Sequence, residues 1–246
     1  MNKNSNGMIS IIIPTLNEEK ILEKTLVSLR EYTGEYEIIV SDGRSKDRTI
    51  EIAKQYADKV VVYEGIARQT IGMGRNLGVR EARGDILLFL DSDMYIPDPN
   101  VFFPHALSFF NMNPHLVGLT GYLKVFPEMA NMADKVVFWS LNRLIYTYNN
   151  ILHHGASSGE FQMIRTEVFK KIGGFNEALV GGEDFDMFAR LSKVGLTQSV
   201  PSLTIFHTSR RAHKIGWPRL LWSWILNWFH ATFLNKSYST VWEEIR

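Results

Sequence analysis

The stretch Gly84–Asp93, GDILLFLDSD, decides the fold class of this chain. Its centre, Ile86–Leu90, is a run of apolar residues without alternation, which is typical of a strand covered on both faces. Asp91 and Asp93 follow, and ligands of open parallel α/β sheets bind beyond the carboxyl ends of the strands. Two carboxylates this close repel each other unless a cation lies beside them. Because hard oxygen ligands suit Mg²⁺ or Mn²⁺, the stretch predicts a metal–phosphate site, with a polar turn as the alternative.

Composition limits the classes of protein that the chain can represent. Its 246 residues suffice for one large or two small domains, and 45% hydrophobic with 22% charged residues is ordinary for a folded protein. A net charge of +1 gives no reason to expect a nucleic-acid partner. The absence of cysteine excludes disulfides and thiolate chemistry. Because residues 1–8 do not resemble a signal peptide, we expect a cytoplasmic protein, with the inner face of the cell membrane as the alternative location.

Short apolar runs and helical periodicities predict a parallel sheet in the first half of the chain. The predicted strands are Ile9–Pro14, Tyr36–Val40, Val60–Tyr63 and Ile86–Leu90, separated by helical patterns of which the first is capped by Asn17. The polar residues that follow these strands should lie on one edge of the sheet. They are Thr15–Glu19, Asp42 and Asp91–Asp93.

The second half of the chain is less regular. Strands are predicted at Leu116–Tyr122, Phe161–Ile164 and Leu203–Phe206, and a helix from Val137 to Leu152. After Gly181-Gly182, another helix begins with the acidic residues Glu183, Asp184 and Asp186. The helix dipole alone would favour such residues at that position.

Taken together, these stretches resemble the family 2 glycosyltransferases, inverting enzymes of the GT-A fold. The matching motifs occur in the family's order: IIIPTLNEE (11–19), VSDG (40–43), GRNLG (74–78), DSD (91–93), FKKIGGFNE (169–177) and GED (182–184). The resemblance implies a Rossmann-like, mostly parallel sheet flanked by helices. We expect one GT-A domain over 1–246, with a nucleotide-sugar-binding half (1–97), an acceptor and catalytic half (98–209) and a basic loop with an aromatic helical tail (210–246).

The resemblance also implies a donor, a nucleotide-diphosphate sugar, and the residues that bind it. These are Pro14, Thr15, Asn17, Glu19, Asp42, Arg75, Asp91, Ser92, Asp93, Arg210 and Arg211. Among them, Asp42 would accept a hydrogen bond from the base and Arg75 would lie against the base or the phosphates. Arg210 and Arg211 would clamp the diphosphate or form a solvated basic loop.

A Mg²⁺ or Mn²⁺ ion would be bound by Asp93 and Asp91, with His207 as a further ligand or else a surface histidine. Ser41 and Arg44 depart from the more usual Asp-Asp-Gly-Ser pattern and leave the base preference open. Of the two common donors, we favour a UDP-sugar over a GDP-sugar.

An inverting transfer needs a carboxylate to take the proton of the attacking hydroxyl, and we assign this role to Asp184, with Glu183 as its rival. Nucleotidyl transfer to sugar phosphates is the alternative reaction. It normally uses a glycine-rich basic loop after the first strand, whereas residues 15–19 are acidic and lack glycine. A non-catalytic nucleotide-sugar binder would not need both DSD and Glu183-Asp184.

The tail over 217–234 is rich in tryptophan and is apolar on most sides. Such a helix is buried, lies at a membrane surface or pairs with another copy of the chain. We expect it to pack on the domain or, in a homo-oligomer, on another copy of the chain, and keep peripheral membrane contact as the alternative. The acceptor is a saccharide or a lipid-linked molecule, and transfer to a polyprenyl phosphate at a membrane surface is one form of the second.

Overall fold

The predicted strand Ile86–Leu90 is the centre of the computed structural model, which describes residues 7–234 and 236–239. It is the fourth strand, and each of its residues is buried. The strand is parallel to Ile9–Thr15 on one side and antiparallel to Phe161–Arg165 on the other. The predicted tail runs to Arg246, and its residues 235 and 240–246 lie outside the described residues, as do residues 1–6 of the polar N-terminus.

The strands form one mixed sheet of eight in the order β3-β2-β1-β4-β7-β6-β8-β5. They are β1 Ile9–Thr15, β2 Tyr36–Asp42, β3 Lys59–Val62, β4 Ile86–Leu90, β5 Met94–Tyr95, β6 Leu116–Val125, β7 Phe161–Arg165 and β8 Leu196–His207. Strands β1 to β4 are mutually parallel, as the spacing of strands and helices predicts. The antiparallel strand β7 joins them to the second half of the chain.

Helices pack against the sheet. They are α1 Leu22–Leu29, α2 Thr49–Tyr56, α3 Ile71–Val79, α4 Pro99–Met112, α5 Met132–Tyr146, α6 Thr166–Lys171, α7 Glu183–Leu191, α8 Arg210–Ile215 and α9 Trp217–Leu234. A π-helical turn, Thr147–Ile151, extends α5. Two buried apolar clusters hold the helices to the sheet.

The parallel register places the polar strand ends side by side, as expected. Thr15 is the register partner of Asp42, and β1 pairs with β4 up to Ile12 and Phe89. The three polar segments that follow β1, β2 and β4 therefore share one edge of the sheet.

The predicted helix cap at Asn17 is wrong. Helix α1 begins only at Leu22, and Asn17 adopts a left-handed conformation with φ of 55°. Its backbone N–H donates to the Ser45 hydroxyl at 2.7 Å, and its side-chain oxygen accepts from the backbone N–H of Lys46 at 2.8 Å. Contacts across the sheet edge, which sequence spacing does not reveal, use the groups that a cap would need.

The aromatic tail helix α9 packs on the domain, which is the first of the three arrangements considered for it. Its buried residues include Trp217 and Asn227, and Asn227 lies against the Gly181-Gly182 turn at the start of α7. A Cβ added at Gly181 would come within 3.1 Å of the Asn227 side chain, so glycine permits this close approach. Across residues 7–234 and 236–239, no helix has both the length and the apolar character that crossing a membrane requires.

Candidate active site

A cavity of about 730 Å³ opens at the edge of the sheet where the polar strand ends meet. Its walls come from the strand ends, α3, the start of α7, the segment after β8, and the helices α5 and α9. Eleven of the fourteen predicted site residues line it: Pro14, Thr15, Arg75, Asp91, Ser92, Asp93, Glu183, Asp184, His207, Arg210 and Arg211. The structure thus brings together segments that are more than a hundred residues apart in the chain.

The guanidinium of Arg75 lies at the centre of the carboxylates in this cavity. Its Nη1 donates to Asp184 Oδ1 at 2.6 Å and to Glu183 Oε1 at 3.2 Å, while Nη2 donates to Asp91 Oδ1 at 3.3 Å. The side chain is buried, with 1% of its surface exposed. Burial alone would lower the pKa of Arg75, but Asp184, Asp91 and Glu183 raise it, so the cation persists at all physiological pH values.

A glycine makes this approach between Arg75 and Asp184 feasible. The carbonyl of Gly159 accepts from Arg75 Nη2 at 2.8 Å. A Cβ at Gly159 would lie 2.7 Å from the same nitrogen and 2.8 Å from Asp184 Oδ2, closer than van der Waals contact allows. The loop before β7 therefore closes over the ion pairs because it lacks a side chain here.

The arginine placement differs from the expected one. The resemblance puts Arg75 against the base or the phosphates of a donor, whereas the side chain lies among carboxylates from β4 and α7. The partner Glu183 is 108 residues away in the sequence, so no local pattern indicates this pairing. Arg75 therefore holds Asp91, Glu183 and Asp184 together, while its contact with a donor stays a prediction.

Three carboxyl groups in the cavity titrate above their ordinary range. Burial, together with Asp93 and Asp184, raises the pKa of Asp91 to about 6, although Arg75 opposes the change. Burial and the charges of Asp91 and Asp184 raise the pKa of Glu160 to about 8. Burial and Asp184 also raise the pKa of Glu183. Crowding and burial of these carboxyl groups therefore favour their protonated forms, and Glu160 is largely neutral at pH 7.

Asp93 and Glu18 hold the segment that follows β8. Arg210 donates to both carboxylate oxygens of Glu18, at 2.8 and 3.0 Å, and its Nε lies 3.3 Å from Asp93 Oδ2. The same oxygen of Asp93 accepts from the Thr208 hydroxyl at 2.6 Å. Arg210 thus lies over the end of β4, on the wall of the cavity.

The three predicted metal ligands, Asp91, Asp93 and His207, all line the cavity. No three His, Asp or Glu side chains in the described part of the chain converge as a complete ion-binding set. Asp91 and Asp93 nevertheless supply the hard oxygens that Mg²⁺ and Mn²⁺ prefer, and Mg²⁺ is usually bound by one or two carboxylates plus substrate phosphates. The two carboxylates fit such an ion once a diphosphate completes its ligands.

His207 fits the same site less directly. Its ring is buried against Phe138, and burial lowers its pKa to about 4 even though Asp93 and Asp134 oppose the change. The ring is therefore neutral at physiological pH, as a metal ligand must be. Nδ1 accepts from the backbone N–H of Ser209 at 3.2 Å, and Nε2 has no hydrogen-bond partner among the described residues. In this tautomer the proton is on Nε2. A cation can bind Nε2 only if the proton moves to Nδ1, and Nδ1 can then no longer accept the hydrogen bond from Ser209.

Three predicted donor residues lie outside the cavity wall. Asn17 bonds to the loop before α2, as described above, and the exposed Glu19 accepts from the backbone N–H of Arg48 at 3.1 Å. Asp42 is fully buried, and its carboxylate accepts from Thr15 Oγ1 at 2.9 Å and from the Ser45 hydroxyl at 2.6 Å. Asp42 therefore orients Thr15, which does line the cavity.

Sequence reasoning missed two carboxylates of the wall, Glu18 and Glu160. Glu18 belongs to the quoted IIIPTLNEE motif, but spacing cannot distinguish adjacent glutamates, and the resemblance assigns donor binding to Glu19. Glu160 lies directly before β7, in a loop where nothing in the sequence separates a site carboxylate from a solvated one.

Comparison with known proteins identifies the family of the chain. A family model described as glycosyl transferase family 2 matches residues 10–173, more than half of the chain. The chain belongs to glycosyltransferase family 2. A second model, described as the N-terminal domain of galactosyltransferase, matches residues 146–214 of this family member, the part that carries Glu183 and Asp184. The resemblance stated from the quoted motifs is thereby confirmed.

An uncharacterized glycosyltransferase of Haemophilus influenzae is 30% identical to the chain over 187 residues. The match covers 75% of this chain and 62% of that protein, so the chain spans less than two thirds of its relative's length.

Two solved structures share the fold. Mannosyltransferase PcManGT from Pyrobaculum calidifontis, in complex with GDP-Man and Mn²⁺, has a TM-score of 0.72 at 17% identity, and the match covers 95% of this chain and 66% of that chain. TarS of S. aureus, residues 1–349 in complex with UDP-GlcNAc, has a TM-score of 0.64 at 23% identity, with 82% and 59% covered. At these identities the likeness shows the fold alone, which is the expected GT-A type.

Proposed function

We propose that the chain catalyses inverting, divalent-metal-dependent transfer of a sugar from a nucleotide-diphosphate sugar to an acceptor hydroxyl. In the reaction, the acceptor oxygen forms a bond to the anomeric carbon while the bond from that carbon to the diphosphate oxygen breaks. The electron pair leaves on the diphosphate, and the hydroxyl proton passes to Asp184. The family supports the class of reaction, and nucleotidyl transfer finds no support in it.

The contacts of Arg75 are the observation that carries this proposal. One guanidinium bonds to Asp91, which follows β4, and to Asp184, which begins α7. The two carboxylates therefore lie on either side of a single planar group, within one cavity. This arrangement supports a donor at the strand ends with the proton acceptor across from it.

Exposure favours Asp184 over Glu183 as the general base. The side chain of Asp184 is 20% exposed, whereas that of Glu183 is 4% exposed. Arg75 engages Asp184 through Oδ1, and the Asp184 side chain lines the cavity. The raised pKa of Glu183 makes its carboxylate scarcer at neutral pH, so we assign Glu183 a positioning role.

In the proposed complex, Asp93 and Asp91 hold Mg²⁺ or Mn²⁺, with His207 as a candidate further ligand. When bound, the ion would neutralise charge on the departing diphosphate. The protein's own residues on that side are Thr15, Ser92, Arg210 and Arg211, which line the cavity beside the two aspartates. We propose that Arg210 exchanges its contact with Asp93 for one with the diphosphate when the donor binds.

The base of the donor is a finer part of the proposal. One neighbouring structure contains a UDP-sugar and another a GDP-sugar, so the fold accommodates both. We retain the UDP-sugar as the favoured donor. With Asp42 engaged by Thr15 and Ser45, we propose that it acts on the base through Thr15.

A donor panel tests the proposal. Thermal unfolding is measured with UDP-glucose, UDP-galactose, UDP-N-acetylglucosamine and GDP-mannose, each with and without Mg²⁺ or Mn²⁺. A bound donor at a hundred times its Kd adds about 2.7 kcal/mol and raises Tm by roughly 5–10 °C. We expect one donor to do so only with the metal ion, and Asp93→Asn to remove the shift. Asp186→Asn, whose side chain pairs with Arg190, is the matched control and should keep it. A shift that is equal without metal, or none with any donor, contradicts the proposal.

A further inference from the structure

The wall of the cavity that faces the carboxylates is almost wholly apolar. It is built by two helices, α5 with Phe138, Leu141 and Leu144, and α9 with Leu220, Trp224 and Ile225. The two helices meet the polar half of the cavity at the Gly181-Gly182 turn, against which α9 packs. The apolar wall therefore begins beside Asp184, where the acceptor hydroxyl must lie.

Apart from the Tyr148 hydroxyl and the indole N–H groups of Trp224 and Trp228, this wall offers few hydrogen bonds to a ligand. Its one amide on α9, Asn227, donates to the carbonyl of Ser223 at 2.9 Å and to the hydroxyl of Ser239 at 2.9 Å. Its oxygen accepts from the backbone N–H of Ser239 at 3.0 Å. A free saccharide bound here would leave most of its hydroxyls without partners, and each unpaired buried hydroxyl is costly.

The mouth of the cavity is apolar as well. Leu144 and Ile225 line the cavity and are also 47% and 54% exposed, so they connect the wall to the outer surface. Further out on the same helices, Val136 and Phe229 are exposed without lining the cavity. An apolar chain could thus leave the cavity along Leu144 and Ile225, without contact to Val136 and Phe229.

The charges at the inner end limit what the reacting group can be. Arg75 bonds to Asp91, Glu183 and Asp184 there, and Asp93 and Glu160 line the same cavity. Although Glu160, with its pKa of about 8, is largely protonated at neutral pH, a phosphate on the acceptor would add negative charge beside the remaining carboxylates, whereas a neutral hydroxyl would not.

From these observations we infer that the acceptor is an uncharged amphiphile, in which the reacting hydroxyl is joined to a long apolar chain that lies between α5 and α9. The inference rests on the proposed transfer reaction and names its acceptor class. A saccharide without such a chain and a polyprenyl phosphate are the alternatives that the following measurements separate from it.

The first measurement uses n-alkyl β-D-glucosides as probes, from methyl to decyl, below their micellar concentrations. Trp217, Trp224 and Trp228 line the cavity, so tryptophan emission of the full chain reports binding. Affinity should rise by up to about fourfold for each methylene added while the chain still finds apolar wall. Affinity that is independent of chain length would overturn the inference. Decyl phosphate binding as tightly as decyl glucoside would overturn its uncharged part.

The second measurement separates the cavity wall from the outer apolar surface. Leu144→Gln with Ile225→Gln alters the wall, and Val136→Gln with Phe229→Gln is the matched control on the same two helices at similar exposure. Octyl glucoside should bind about tenfold more weakly to the wall pair and within about twofold of wild type to the control pair. Equal weakening of both pairs would mean unspecific binding to exposed apolar residues and would overturn the inference.

Two further arms make the outcome unambiguous. The donor-induced thermal shift is measured on every variant, because its absence from wild type overturns the proposed function. If the donor-induced shift is present but glucoside affinity does not depend on alkyl chain length, only the acceptor inference is overturned. Phosphatidylcholine vesicles with and without decyl glucoside then identify the source of the acceptor. If the protein binds vesicles only when they contain the glucoside, the acceptor is held in a bilayer. If the protein binds dissolved glucoside but not these vesicles, the acceptor is a free amphiphile.

Discussion

The two halves of the cavity are built in opposite ways. In the polar half, arginine side chains bond to carboxylates. Arg75 holds Asp91 and Asp184, and Arg210 holds Glu18. In the apolar half, α5 and α9 present aliphatic and aromatic side chains whose positions are set by packing. The difference teaches that the polar half is organised before any ligand binds, whereas affinity in the apolar half comes from water exclusion.

The apolar half nevertheless has one polar link between its helices. Asp134 of α5 is buried, and its carboxylate accepts from Trp217 Nε1 at 2.8 Å and contacts His213 Nε2 at 2.7 Å. Asp134 thus corresponds to Arg75 of the polar half, since each is a single buried charge that joins elements far apart in sequence. Removing one or the other separates the contributions of the two halves.

The largest effect is expected at Asp184. If it is the general base, Asp184→Asn should lower turnover by about 10²- to 10⁴-fold and leave the donor-induced thermal shift nearly intact. Asp186→Asn, on the same helix but bound to Arg190, serves as the control with near-normal turnover. Normal turnover of Asp184→Asn would end the assignment, and a lost donor shift would move Asp184 to the donor side.

Replacing Arg75 should destabilise the polar half. Arg75→Met leaves Asp91, Glu183 and Asp184 without their buried counter-charge, which typically costs about 3–5 kcal/mol. Urea unfolding at neutral pH measures this loss. Arg80→Met, at the exposed end of α3, should change little, and Arg75→Lys should recover only part of the stability because an ammonium lacks the planar fork. A loss below 1 kcal/mol in Arg75→Met would refute the central place given to this residue.

Gly159→Ala probes how tightly the polar half is packed. The added methyl group would meet Arg75 and Asp184 at under 3 Å, so we expect a loss of about 1–3 kcal/mol in unfolding free energy. In an Asp184→Ala background the methyl group gains room, and the same change should cost less. If the losses of unfolding free energy are additive in the double variant, the added methyl group is not strained against Asp184.

In the apolar half, the contribution of Asp134 to folding stability should depend on pH. Burial alone would raise its pKa, but hydrogen bonds from the Asn131 backbone, His213 and Trp217 lower it below the ordinary value near 4. A lowered folded pKa contributes stability that is complete above about pH 4 and is lost as pH falls through the folded value. Asp134→Asn should therefore cost about 1–3 kcal/mol at pH 6 and progressively less below pH 4. Urea unfolding of both proteins at pH 6 and pH 3 measures this, and a cost that does not shrink in acid would contradict the assignment.

The parts of the fold that follow from local patterns were predicted well. Strand β4 has the predicted bounds, because five apolar residues flanked by Asp leave no other choice. Strand β8 runs over Leu196–His207, although only its last part was predicted, since Thr197, Gln198 and Ser199 look like loop residues in sequence. They are strand residues because β8 pairs with β6 along its length.

The candidate site divides in the same way. The strand-end residues follow from the sheet topology, and eleven of the fourteen line one cavity. Except for Asp91, the partners of Arg75 lie more than eighty residues from it in the chain. The packing of α9 also depends on contacts that are distant in sequence, such as that of Asn227 with Gly181. Such contacts leave no periodic signal, so only the structure reveals that the acceptor side is walled by apolar helices.

The stereochemistry of donor breakdown tests the central claim most directly. Water can replace the acceptor in slow donor hydrolysis, and ¹H NMR identifies the anomer of the released sugar before mutarotation. A single displacement assisted by Asp184 converts an α-linked nucleotide sugar into the β-anomer, and this product should form much more slowly with Asp184→Asn. Initial release of the α-anomer, or β-anomer formed at an unchanged rate by the variant, would contradict the account.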